Sequence, residues 1–221
     1  MAPIPVLRPE QATASLSERA YYRLRDLIVS LELAPGSLVN ERELMERLEL
    51  GRTPVREALR RLAQERLIDV YPRRGMFVSR VDVGDLADLS EARVVLEGAA
   101  ARLAAERATA EEREAAAGLA ADVERTAGER DEGRLIELDQ RIHQHVYRCA
   151  HNRFLEATLE EYYVLTLRIW LLALDRVARL DQAVQEHREL LTALLEADGN
   201  AAEATMRRHI RGFERAIRDV L

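Results

Sequence analysis

Residues 40–63, NERELMERLELGRTPVREALRRLA, read as two short helices joined by a tight turn, with arginines crowding the start of the second. Asn40 with Glu43 three residues on is a box-like helix start, Leu44 and Leu48 anchor that helix, and Gly51 marks the turn. Thr53 then reads as an N-cap and Pro54 as the first helical residue, where a missing N–H costs nothing. Val55, Ala58, Leu59 and Leu62 recur as one apolar stripe, with Arg56 and Arg60 on the other side. A short helix, a turn and a second helix with a cationic tip form the layout of a helix-turn-helix that enters a DNA groove.

Upstream, Ser15-Leu-Ser-Glu18 reads as a capping box, followed by Ala20, Leu24, Leu27, Ile28 and Leu31 at helical spacing until Pro35-Gly36 stops the helix. Downstream the period changes: 67–70 and 76–78 read as strands around the turn signal Pro72-Arg-Arg-Gly75. Three helices and a basic hairpin describe a winged helix over residues 15–80. Residues 1–14 contain three prolines and no apolar h-region, so they read as a flexible leader rather than a signal peptide. From Asp82 onward the pattern is helical, in segments 86–109, 111–127, 135–149, 154–174, 180–198 and 201–221, with a polar connection at 128–133 and a break at Asp198-Gly-Asn200. The expected fold class is mainly α: an N-terminal winged helix-turn-helix, a linker at 81–84, and an all-α antiparallel bundle of about six helices over 85–221.

Composition narrows the class. Few Gly and Pro (10 and 6) among many Ala, Leu, Glu and Arg favour helix over sheet. No apolar run reaches the roughly 18 residues that span a bilayer, which argues for a cytoplasmic protein with no membrane partner. The single Cys149 excludes an intramolecular disulfide and reads as a packing residue in a reducing compartment. The net charge of −6 is unevenly spread: residues 1–80 carry 14 Arg against 11 Asp and Glu, residues 81–221 carry 19 against 28. A basic front on an acidic body restricts phosphate binding to the front. All 33 basic residues are Arg, a bias that covers the whole chain and so says little about the front alone.

Arg forks onto guanine O6/N7 or clamps a phosphate. Arg52, Thr53 and Arg56 occupy the tip of the second helix of the motif, Arg42 starts the first, and Arg73 and Arg74 flank Gly75 in the wing. The bland alternative is that these arginines solvate a helix face and pair with Glu57 or Glu65. In the acidic half, Asp139 and His143 are four apart and share a helix face; His187 and His209 lie on two later helices and can converge on the same ion. One carboxylate and three imidazoles suit Zn²⁺, Ni²⁺ or Mn²⁺. By spacing alone, surface or packing histidines account for the pattern as well. His145 points elsewhere and His151 looks like a helix-end residue.

Glu41-Arg-Glu-Leu44, Gly51-Arg-Thr-Pro-Val-Arg-Glu-Ala-Leu-Arg-Arg-Leu62 and Pro72-Arg-Arg-Gly75 with Val78 closely resemble the winged-helix domain of GntR-type bacterial transcriptional regulators. One departure is Gly51, where that family usually has Ser; the cap then rests on Thr53. The resemblance implies that Arg42, Arg52, Arg56 and the wing around Gly75 contact DNA. The run Leu89-Ser-Glu-Ala-Arg-Val-Val-Leu-Glu97-Gly-Ala-Ala, then Asp139-x-x-x-His143 with Asn152 beyond, Glu186-His187 and His209, resembles the C-terminal effector domain of the FadR subfamily. That likeness implies a divalent metal held by Asp139, His143, His187 and His209, with a small carboxylic acid beside it. It also makes a fatty-acyl ligand less expected. Arg93 then pairs either with the acid's carboxylate or with Glu97 at i,i+4.

The expected function is a homodimeric repressor that reads a pseudo-palindromic operator and responds to a small carboxylate effector at the metal. The rivals are a metal-dependent hydrolase fused to a DNA-binding module, and a plain dimerisation scaffold with incidental histidines.

Overall fold

The computed structural model describes residues 15–82, 84–126, 132–173 and 180–220. Among these the order is α1 (Leu16–Val29), α2 (Glu41–Leu48), α3 (Arg52–Gln64), β1 (Ile68–Tyr71), β2 (Gly75–Val78), α4 (Asp85–Arg107), α5 (Ala110–Thr126), α6 (Glu132–Cys149), α7 (Arg153–Ala173), α8 (Leu180–Leu195) and α9 (Gly199–Arg218). The fold is therefore mainly α, with a winged helix-turn-helix ahead of six further helices. The leader, Val83 and most of the 128–133 connection lie outside the described residues; Glu132 and Gly133 belong to α6 rather than to a connection. The chain divides into two compact units, Met1–Val81 and Asp82–Leu221.

In the first unit the Ser15 side chain accepts from the Glu18 amide and the Glu18 carboxylate accepts from the Ser15 amide, so the capping box forms in full. The Asn40 side chain accepts from the Arg42 and Glu43 amides. Glu49, at φ 56, ends α2 in the left-handed region. The expected cap at Thr53 does not form. Gly51 already has extended backbone and occupies the cap position, so α3 begins at Arg52 and Thr53 lies inside its first turn. Pro54 still costs no bond, because its missing N–H is among those the first turn leaves unpaired. No side chain caps α3, so its opening amides stay available to an outside acceptor.

α3 packs on α1, α2 and β1, and Val55, Leu59 and Leu62 of α3 are buried, as are Leu24 and Ile28 of α1 and Leu48 of α2. The wing pairs Ile68 with Val78 and Tyr71 with Gly75, antiparallel. Its loop turns through Arg73 at φ 64 and Gly75 at φ 103; the latter angle is open to glycine and strained for any L side chain. Leu38 adds an isolated bridge to Phe77.

In the second unit α4 is the central rod, packed against α6, α7, α8 and α9. Its buried Ala100, Ala101, Ala104 and Ala105 let α9 approach closely. At Gly98 the approach is tighter still: a Cβ there would meet Arg207 Nε at 2.7 Å and Cγ at 2.9 Å. Asp198, expected in a break, instead caps α9 through the Ala201 amide, and Gly199 starts that helix.

Two cap substitutions carry opposite expected signs. Asn40→Ala removes the α2 cap and lowers stability by about 1 kcal/mol, whereas Gly51→Ser supplies the missing α3 cap and raises it by a few tenths, at most about 0.5 kcal/mol. Urea midpoints at unchanged m-value measure both.

Candidate functional site

On the winged unit, Arg52 and Arg56 lie one turn apart on α3, with side chains 70% and 46% exposed. Both face the same acceptor: Glu41 lies 3.9 Å from Arg52 Nε and 3.5 Å from Arg56 Nε. The alternative pairing with Glu57 or Glu65 does not form for either arginine among the described residues. Glu57 accepts from the Ser17 hydroxyl, and Glu65 takes Tyr21 and Arg61. Arg42 is exposed and paired with Glu46 at 3.0 Å. Such exposed pairs are worth at most about 1 kcal/mol, so a phosphate or a base edge can replace the carboxylate. Arg73, Arg74 and Gly75 stand exposed at the wing tip.

In the helical unit, Asp139, His143, His187 and His209 are all buried, and their ligand atoms lie within 4.8 Å of one another. α6 supplies Asp139 and His143 from one face, α8 brings His187 and α9 His209. Asp139 Oδ1 is 3.0 Å from His187 Nε2, 3.6 Å from His209 Nε2 and 3.7 Å from His143 Nε2. Atoms about 2.1 Å from one ion stand about 3.0 Å apart at right angles and about 3.4 Å apart at the tetrahedral angle, so these spacings suit a shared ion.

Three of the four ligand residues are gripped from behind. Glu97 Oε2 lies 2.6 Å from His143 Nδ1, Glu186 Oε2 lies 3.0 Å from His209 Nδ1, and the Tyr163 hydroxyl donates to Asp139 Oδ2 at 2.6 Å. A carboxylate on Nδ1 orients each ring and turns its Nε2 toward the other ligand groups. The His143 and His209 Nε2 atoms face each other at 3.3 Å. His187 Nε2 is buried and makes no hydrogen bond, despite lying 3.0 Å from Asp139. An orphaned ring nitrogen beside a carboxylate oxygen is a pair that a cation can satisfy. The donor set fits a divalent ion, and the four residues form a possible metal site.

Electrostatics follow the same arrangement. Burial would raise the Asp139 pKa, but the neighbouring imidazoles of His143, His187 and His209 outweigh it and hold the carboxyl well below its ordinary value. Burial pushes His187 down to about 4. Burial also opposes a charge on His209, yet Asp139 and Glu186 overcome it and lift the ring to about 9. Glu97 is held at about 2, its burial outweighed by Arg93 and His143.

Arg93 Nε meets Glu97 Oε1 at 2.5 Å, so the i,i+4 pair forms. The same side chain lines a cavity of about 290 Å³, partly open to solvent, that it shares with His143, His209, Trp170 and Phe213. His145 turns away to Cys149 Sγ at 3.3 Å, and His151 pairs with Glu112, so neither joins the cluster. Burial pushes the Cys149 thiol up to about 11, in keeping with a packing role.

Glu97, Glu186 and Tyr163 are the functional residues that sequence reasoning missed. Glu186 adjoins His187 in the chain, but its partner His209 is 23 residues away, and Glu97 lies 46 residues from His143. No local pattern links such pairs.

Residues 16–78 match the model of the bacterial regulatory proteins of the gntR family, and residues 88–212 match the FCD domain. The chain belongs to the GntR family, with an FCD domain. It is 30% identical over 232 residues to the galactonate operon transcriptional repressor of Escherichia coli (strain K12), covering 94% of this chain and 99% of that protein. Over 211 residues it is 29% identical to the HTH-type transcriptional repressor RspR of the same strain, covering 94% and 91%. The solved structure of E. coli McbR/YncC shares the fold, with a TM-score of 0.81 at 22% identity over 94% of this chain and 99% of that one. This GntR-family protein is a DNA-binding transcriptional regulator; the hydrolase alternative finds no support among these relatives. No helix among the described residues is long and apolar enough to cross a membrane.

Glu186→Gln keeps the shape of the side chain but weakens the grip on His209. Affinity for divalent metal is expected to fall about 10- to 100-fold, read by competition with a chromogenic chelator while far-ultraviolet circular dichroism stays unchanged.

Proposed function

We propose that this regulator is a cytoplasmic homodimeric repressor that releases its operator when a small carboxylic acid binds beside a divalent metal. Residues 15–80 read DNA, 81–84 link, and 85–221 bind effector and dimerise. The observation that carries the reading is the buried convergence of Asp139, His143, His187 and His209 with their backing carboxylates. Three imidazoles and one carboxylate favour Zn²⁺, with Ni²⁺ and Mn²⁺ as alternatives. When bound, the ion supplies positive charge and open coordination positions at which a carboxylate oxygen can ligate.

The protein's own residues do the rest. Glu97 and Glu186 fix the His143 and His209 rings so that both Nε2 lone pairs point at one place. Tyr163 occupies the second oxygen of Asp139 and leaves the first for the ion. Arg93, braced by Glu97, offers its remaining N–H groups to the acid's other oxygen. On DNA, Arg52, Thr53 and Arg56 reach base edges while Arg42, Arg74 and the wing at Gly75 hold the backbone. Two copies related by a twofold axis read the halves of a pseudo-palindrome. Effector and operator are then coupled by about 1–3 kcal/mol, or roughly 5- to 150-fold in affinity.

Arg52→Ala or Arg56→Ala is expected to weaken operator binding by about 1–3 kcal/mol per base contact and to relax base preference, measured by footprinting over a set of mutated operators. His187→Ala should lose metal and effector response while its operator affinity without effector persists. Full metal occupancy in that variant, by elemental analysis of untagged protein, refutes the ligand set.

A further inference from the structure

Among the described residues, two cavities border the ligand cluster. The first holds Arg93, His143 and His209. The second, about 340 Å³ including space open to solvent, holds His187 and is walled by Val123, Leu135, Leu138 and Val184. Asp139 and Trp170 line both, so they form the partition. The two chambers differ in chemistry. The first offers a guanidinium and imidazoles to an anion. Among the described residues, the side chains lining the second other than Asp139, His187 and the indole are aliphatic. A hydroxyl placed among those aliphatic groups loses its water bonds and gains none.

The partition has its own irregularity. Trp170 is 8% exposed, yet its indole Nε1 has no hydrogen-bond partner among the described residues. Its ring is held edge-on against Phe213 at 4.9 Å, which fixes the plane of the divider. A buried tryptophan N–H ordinarily finds an acceptor. An oxygen of a ligand passing the divider would supply it.

We propose that Trp170 divides one effector site into a carboxylate chamber and an apolar chamber, so that the effector is a monocarboxylic acid bearing a short alkyl or aryl group. This inference rests on the carboxylate reading above and narrows it. Polyhydroxylated acids are disfavoured, because their hydroxyls must enter the aliphatic chamber. Leu138 and Val184 set the apolar preference, and Trp170 sets the length accepted.

The test is calorimetric titration of the full-length, Zn²⁺-loaded protein with acetate, butanoate, hexanoate, phenylacetate and gluconate. Affinity is expected to rise about tenfold for each two methylenes from acetate to hexanoate, with phenylacetate well above gluconate. Val184→Asn, at a half-buried position, should collapse the hexanoate-to-acetate ratio toward one. Trp170→Ala should move the preferred chain length beyond hexanoate. If gluconate binds as tightly as hexanoate, or Val184→Asn leaves the ratio intact, the two-chamber inference is overturned while the carboxylate reading stands. If no acid binds the metallated protein, both fall together.

Discussion

A carboxylate and three imidazoles share one desolvated point in the helical unit, and the arrangement around them exists to make that tolerable. Isolated charge in a protein interior costs several kcal/mol even after relaxation, so each buried group must be balanced by its neighbours. Here the balance is a closed chain: Arg93 neutralises Glu97, Glu97 orients His143, His143 faces Asp139, and Tyr163 caps the far oxygen of Asp139. Among the described residues, the Nε2 atoms and Asp139 Oδ1 form the group that could hold a metal ion.

That constraint explains the rest of the bundle. α4 must lie at the centre, because it carries Arg93 and Glu97, and α6, α8 and α9 must each present a ligand toward a common point. The alanine-rich surface of α4 and the close contact at Gly98 bring α9 near enough for His209 to join residues of α6. Small residues here serve geometry more than hydrophobicity. A bulkier face would push the fourth ligand out of range.

The winged unit solves a different problem with the opposite physics. Arg52 and Arg56 are exposed and face the single carboxylate Glu41, a pairing weak enough in water for another anion to replace it. α3 opens on Gly51 with no side-chain cap, so the positive end of the helix dipole faces outward. The basic front and acidic rear of the sequence correspond to these two regimes: exchangeable surface charge ahead, locked interior charge behind.

Much of this was legible in the chain alone. The capping box at Ser15, the Asn40 cap, the apolar stripe of α3 and the Pro-Arg-Arg-Gly turn specify the winged helix, because caps, helical period and turn chemistry are local properties that neighbouring residues decide. Asp139 and His143 were readable as a pair for the same reason, being one helical turn apart. The cap of α3 was misread at Thr53, since the backbone of Gly51 and not a side chain ends the turn. The backing of His143 by Glu97, of His209 by Glu186 and of both Arg52 and Arg56 by Glu41 had no local signal. So too the partition by Trp170: which side chains share a cavity depends on how helices distant in sequence cross, and packing alone decides that.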